Sequence, residues 1–346
     1  MTEATELRSP GCAPALAAAL ERAFPPIADA VARGRIPGAV LGLADAGGGR
    51  AARAVGWAEL EPRRRPMRLD SWFDLASLTK VIFTTPRILA LAEAGTIGLD
   101  APLATVIPDL RQYESGAWER KVTFRQCLGH QTPFPAVEPI YTYGGDPGRL
   151  RAFVLQREWR AGPPVYSDIN FILLGIALER LAGRRLRELD PGPGFGFSAA
   201  PDQAVATERC AWRERVLCGE VHDENCFALQ GAGHAGLFGP VGAVLDFAAA
   251  LLAAGATGDG TVALMRTPLS ERRTHGWERF HQGWPAGDRS GPETIGHTGF
   301  TGTGLWVDFA RGRAWTLLTN RVHPTRHADS GIAALRRAVG DLVNQA

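Results

Sequence analysis

Phe73-Asp74-Leu75-Ala76-Ser77-Leu78-Thr79-Lys80 places a lysine three residues after a serine, in a chain whose 38 basic residues include only two lysines, Lys80 and Lys121. Positions i and i+3 share one face of a helix, which brings the Ser77 hydroxyl and the Lys80 amine within reach of each other. From Leu75 to Pro86 no other residue is ionisable, so the amine is expected among apolar neighbours. A guanidinium stays charged at any accessible pH, and chemistry that needs an amine able to lose its proton must use lysine. Alone, the pair fits either an activated serine or a lysine snorkelling from an ordinary surface helix.

Working outward, Ala76 to Ala94 reads as a helix whose first half, with Val81-Ile82-Phe83, is apolar nearly all round and therefore buried. Pro86 is expected to kink it and Gly95 to end it. Ala15 to Arg33 is alanine-rich with helical spacing. Gly38 to Asp45, Gly47-Gly48-Gly49 and Arg50 to Trp57 read as a β-hairpin. Phe171 to Ala182 and Val241 to Ala254 are the clearest helices of a middle region, in which Asp190 to Phe197 is too rich in proline and glycine to be regular. Glu293 to Gly299, Gly304 to Phe309 and Ala314 to Asn320 form an antiparallel meander, and Gly331 to Asn344 a last helix. The expected fold is therefore α/β (α+β): one antiparallel sheet built from both termini (1–98 and 268–346), flanked by helices, with a mostly helical domain (99–267) inserted. The ligand site is expected in the cleft between them.

Composition narrows the function. An apolar content of 45% and a charged content of 21% describe an ordinary globular protein. A formal charge of +2 gives no case for nucleic acid, and the short run Arg63-Arg64-Arg65 reads as a solvated turn. No apolar run approaches 18 residues, so no membrane span is expected. Five cysteines without a CxxC pair read as free thiols in a reducing compartment. The first 25 residues carry several charges, and Pro14 interrupts their short apolar run, which is unlike a secretory signal. Ser9-Pro10-Gly11-Cys12 has the outline of a lipoprotein site without the hydrophobic segment before it. The expected location is the cytoplasm.

Two further clusters could carry chemistry. Tyr166-Ser167-Asp168-Ile169-Asn170 stands at the start of the Phe171 helix, where Ser167 or Asp168 could also simply cap it. Gly296-His297-Thr298-Gly299-Phe300-Thr301-Gly302-Thr303-Gly304 combines a proton-carrying or charged His297 and a hydroxyl with glycines that let a ligand or another backbone come close. His222, Asp223 and His234 could be imagined as metal ligands, but their spacing is no metal signature. Neither metal nor cofactor is expected.

In order and spacing the three clusters resemble the serine β-lactamase and penicillin-binding protein superfamily, within it the branch of class C β-lactamases, D-Ala-D-Ala carboxypeptidases and esterases. Val221-His222-Asp223-Glu224-Asn225 and Gly233-His234-Ala235-Gly236-Leu237-Phe238 add to the match, which covers roughly residues 25 to 322. The resemblance implies a β-lactamase/transpeptidase-like fold and a serine hydrolase working through an acyl-enzyme. It implies Ser77 as nucleophile, Lys80 with a depressed pKa, Tyr166 sharing proton transfer, and His297 tuning Tyr166 or meeting the leaving group. Backbone N–H groups of Ser77 and Phe300 would form the oxyanion hole, each contributing about 2.7–4 kcal/mol. Asp168, Thr298, Gly299 and Phe300 would contact substrate.

The chain departs from that pattern in places. Asp168 stands where β-lactam-hydrolysing relatives have asparagine, and would pair with Lys80, raising its pKa, and repel carboxylates. His297 replaces a lysine, Gln131-Thr132-Pro133-Phe134-Pro135 replaces the usual loop after His130, and Leu186 to Ala199 is short. Glu208 matches a loop of the relatives with no assignable role. The expected activity is an esterase or amidase on a small ester, amide or peptide substrate. The alternatives are a D-Ala-D-Ala carboxypeptidase, muropeptide hydrolase or β-lactamase, and a non-catalytic binding or sensor protein on the same fold.

Overall fold

The computed structural model describes residues 5–9 and 12–345; residues 10 and 11 of the lipoprotein-like stretch and the first four residues lie outside them. An antiparallel sheet forms from both ends of the chain, as expected. Gly38–Asp45 is central, pairing on one side with Arg50–Glu59 and on the other with Arg313–Thr319. Beyond the latter follow Gly304–Asp308, Ile295–Thr298 and the short Glu278–Arg279, all antiparallel. A strand not anticipated from sequence, Thr5–Arg8, adds to the outer edge of Arg50–Glu59.

Side chains of a strand alternate between faces, and Gly38–Asp45 is buried on both. Ala39, Leu41 and Leu43 point into a core shared with the terminal helices Pro14–Ala23, Pro25–Ala32 and Ile332–Val343. There Trp306 and Trp315 face each other across neighbouring strands, ring centroids 4.0 Å apart. Val40 and Ala44 point into the larger core on the opposite face. Each fully buried leucine or valine among these contributes roughly 1.5–3 kcal/mol by leaving water. Gly42 lets Val241–Thr257 lie close, because a Cβ there would meet the Val241 methyl at 2.6 Å. That helix, though within the 99–267 segment, packs directly on the sheet.

The helix expected from Ala15 to Arg33 is two helices, broken at Phe24 because Pro25 and Pro26 offer no N–H to continue the ladder. The helix after Ser77 passes through one π-helical turn, Lys80–Thr84, before Thr85–Glu93 becomes α-helical. Pro86 falls in the first turn of that α-helical part, where a missing N–H costs least. The 99–267 segment contributes Phe124–Leu128, Pro147–Gln156, Asp168–Ala182 and Glu224–Ala228. It also holds a small hairpin, Ala206–Cys210 with Arg215–Cys218, that sequence patterning missed. Among the described residues no single helix is long and apolar enough to cross a membrane.

Candidate active site

Ser77 is delivered by a strained turn. Ala76, immediately before it, has φ of 48°, in the left-handed region that costs a residue with a Cβ. Hydrogen bonds hold it there: Asp74 Oδ1 accepts from the Ala76 N–H at 2.8 Å, and Thr79 Oγ1 donates to the Ala76 carbonyl at 2.6 Å. One turn on, Lys80 is 0% exposed. Its Nζ donates to Ser77 Oγ at 2.8 Å and to the His234 carbonyl at 3.1 Å, and lies 2.8 Å from Asp168 Oδ1.

The expectation of a depressed Lys80 pKa is corrected by this arrangement. Burial pulls it down, but the Asp168 carboxylate and the Tyr166 phenol outweigh burial and hold it above that of an ordinary lysine. The pairing with Asp168 foreseen from sequence is the reason. The helix-capping alternative does not hold: the Ser167 hydroxyl donates to the Pro135 carbonyl at 2.6 Å, and Asp168 faces Lys80.

Tyr166 stands among four basic side chains. The Lys80 Nζ lies 5.0 Å and the Arg273 guanidinium carbon 5.2 Å from its ring centroid. The His130 and His297 rings lie at 4.4 and 5.8 Å. His130 Nδ1 accepts the Ser167 N–H at 3.1 Å, fixing the turn that carries Tyr166. His297 is buried on its strand with Nδ1 2.9 Å from the Thr298 carbonyl. Burial, then Lys80 and Arg273, push the pKa of His297 well below the usual imidazole range, so the residue is uncharged rather than cationic at neutral pH.

Ser77, Tyr166, His297, Thr298, Gly299 and Phe300 line one cleft together with Arg273, Glu278, Arg321 and Arg336. The glycines of the third cluster serve close approach, as expected: a Cβ on Gly299 would meet Thr303 Oγ1 at 2.1 Å and the Leu75 carbonyl at 2.7 Å. This packs the His297 strand against the Ser77 turn. Among the described residues neither the Ser77 nor the Phe300 N–H has an acceptor, which leaves both free to meet an oxyanion.

The imagined metal trio separates. His222 Nε2 lies 2.9 Å from Glu208 Oε2, whereas His234 Nε2 lies 2.8 Å from Asp223 Oδ1. Ligand atoms of Asp168, Asp223 and His234 do lie within 4.8 Å of one another. The Lys80 ammonium, ion-paired with Asp168 and hydrogen-bonded to the His234 carbonyl, supplies positive charge at that spot. Sequence reasoning missed Arg273 and Asp74, whose positions depend on chain far away in sequence.

A protein-family model described as beta-lactamase matches residues 26–339. The chain belongs to the beta-lactamase family. Within it, the N-acetylmuramyl-L-alanine amidase of Bacillus subtilis (strain 168) is 28% identical over 317 residues, 77% of this chain and 71% of that protein. Among solved structures, EstCE1, described as a hydrolase with promiscuous acyltransferase activity, superposes with a TM-score of 0.70 at 22% identity, covering 96% of this chain and all of that one. A class C beta lactamase from Rhodobacter sphaeroides gives 0.67 at 19%, covering 94% and 99%. These structural likenesses establish the beta-lactamase fold, and the family is one of serine hydrolases.

Proposed function

We propose that the protein hydrolyses small carboxylic esters or amides through an acyl-enzyme on Ser77. The observation that carries this reading is the 2.8 Å contact between Lys80 Nζ and Ser77 Oγ on the wall of an open cleft shared with Tyr166. An ammonium cannot accept a proton. With Asp168 holding Lys80 charged, the proton of the attacking hydroxyl passes to Tyr166, which stands beside the Lys80 ammonium. Tyr166 then returns it to the leaving group, and the same steps in reverse order let water release the acyl group. The free N–H groups of Ser77 and Phe300 stabilise the tetrahedral oxyanion. His297 keeps an uncharged ring beside Tyr166, and Thr298 and Gly299 offer a strand edge to the substrate. The five cysteines are unpaired, which favours a reducing compartment.

Asp168→Asn tests the proton route. Without the carboxylate, burial dominates and the Lys80 pKa falls, so the neutral amine exists at lower pH and can share the base role. The acid limb of the kcat/KM profile is expected to move to lower pH, with hydrolysis of nitrocefin rising. An unmoved limb would contradict the charge pairing assigned to Lys80.

A second reading, a carboxylate-bearing peptide or depsipeptide as substrate, is favoured by Arg273. Arg321 donates through Nε to the Phe300 carbonyl, and Arg336 through one Nη to the carbonyls of Gly299 and Thr303. The Arg273 guanidinium lines the same cleft with no hydrogen-bond or ion-pair partner among the described residues. It supplies the cation that the histidine of the third cluster does not. A hydrogen bond to a charged group contributes about 1.5–3 kcal/mol, so Arg273→Ala should lower kcat/KM for a lactate-terminated depsipeptide roughly 10- to 100-fold. The methyl ester of the same compound should change little. Equal losses on both compounds would remove Arg273 from substrate recognition.

A further inference from the structure

Asp74 and His222 lie outside the reacting groups, yet both touch the frame that carries the two oxyanion donors. Asp74 is buried, and its two carboxylate oxygens are divided between two chain segments. Oδ1 accepts the Ala76 N–H at 2.8 Å, in the strained turn that presents Ser77. Oδ2 accepts the His222 N–H at 2.6 Å. The His222 ring then stacks on Phe300 with centroids 5.6 Å apart and planes 26° from parallel. Phe300 is 49% exposed, so burial alone does not fix it. Instead the His222 ring and the Arg321 Nε–H, which reaches the Phe300 carbonyl at 2.9 Å, hold that residue in place.

The far edge of His222 is anchored too. Its Nε2 lies 2.9 Å from Glu208 Oε2, an oxygen that also accepts from Arg326 Nε at 2.6 Å. This gives Glu208 a place in the structure that its sequence match alone did not. A third tie reaches the same frame: Thr301 Oγ1 donates to the Asp74 carbonyl at 2.8 Å.

We infer that Asp74 and His222 are positioning residues that set the spacing between the Ser77 and Phe300 N–H groups, one carboxylate fixing both halves of the oxyanion hole. The inference rests on the acyl-enzyme reading above and adds to it the device that preorganises the hole. An amide at position 74 has one acceptor oxygen, so Asp74→Asn can satisfy one of the two N–H groups and faces the other with its own N–H. His222→Ala keeps the backbone bond to Asp74 but removes the ring under Phe300. His222→Phe restores a ring there.

The experiment measures kcat and KM for a neutral ester beside the inhibition constant of phenylboronic acid, whose tetrahedral adduct with a serine oxygen puts a hydroxyl where the oxyanion sits. Removing one oxyanion donor costs about 10²–10³ in kcat, so displacing one is expected to cost about 10- to 100-fold in Asp74→Asn and His222→Ala. KM should change little, and the inhibition constant should rise in step with the loss in kcat. His222→Phe should recover most of both. Unchanged boronate affinity in both damaging variants, or a His222→Phe enzyme as impaired as His222→Ala, would overturn the inference. Should Asp74→Asn fail to fold, the two His222 variants decide alone. A wild type that phenylboronic acid does not inhibit, or a Ser77→Ala variant that binds it equally well, would remove the acyl-enzyme reading and this inference with it.

Discussion

Ser77→Ala is expected to lower kcat for p-nitrophenyl acetate by about 10⁴- to 10⁶-fold, the scale seen when a serine hydrolase loses its nucleophile. The fold should survive the change. Lys80 keeps its contacts to Asp168 and to the His234 carbonyl when the Ser77 hydroxyl is gone, so no buried charge loses its counterion. Circular dichroism and thermal melting should therefore match wild type while turnover falls to the background of the cleft. Retention of a tenth or more of the activity would show that another group carries the acyl chemistry.

Lys80→Met is expected to lower turnover strongly too, though less than Ser77→Ala and for a different reason. Methionine fills a similar volume and suits a fully buried position, so the loss isolates the charge and the hydrogen bond to Ser77 Oγ. Without the Lys80 cation the proton transfer between Ser77 and Tyr166 loses the charge that steadies it; positioned proton transfer contributes about 10²–10⁴-fold, and kcat should fall by that order. Stability should fall as well, because Asp168 loses its counterion. Breaking a wholly buried pair costs about 3–5 kcal/mol, and the cost here should be smaller because the Asp168 side chain retains 32% exposure to water. Adding Asp168→Asn to Lys80→Met should then restore the denaturation midpoint without restoring kcat. Recovery of turnover in the double variant would deny Lys80 any part in the chemistry.

The Ser77–Lys80 pair was legible because it is local: a three-residue spacing on one helix needs no knowledge of the rest of the chain. The hairpin of Gly38–Asp45 and Arg50–Glu59 was legible for a similar reason, since its glycine turn and apolar runs lie in one stretch. The break at Phe24 was not, because an apolar spacing continues across Pro25 and Pro26 and hides the missing donors. Thr5–Arg8 was not either, since its side chains are exposed and nothing in its pattern signals a strand. The state of Lys80 required two opposing effects to be weighed. Apolar neighbours along the chain suggested a lowered pKa and the expected partner Asp168, 88 positions later, a raised one; the folded geometry, with Asp168 Oδ1 2.8 Å from Nζ, decides for the second. Asp74 sits beside the motif, but its second partner, the His222 N–H, is 148 residues away. Arg273 lies in a turn with no motif around it and gains meaning only when folding sets it over Tyr166.

The central claim is a covalent acyl group on one oxygen atom. Intact-mass analysis of the protein quenched during turnover of a slowly released ester, followed by peptide mapping, tests it most directly. One acyl group per chain on the peptide containing Ser77, absent from Ser77→Ala, is the predicted result. Turnover with an unmodified chain, or an adduct on any other residue, would contradict it.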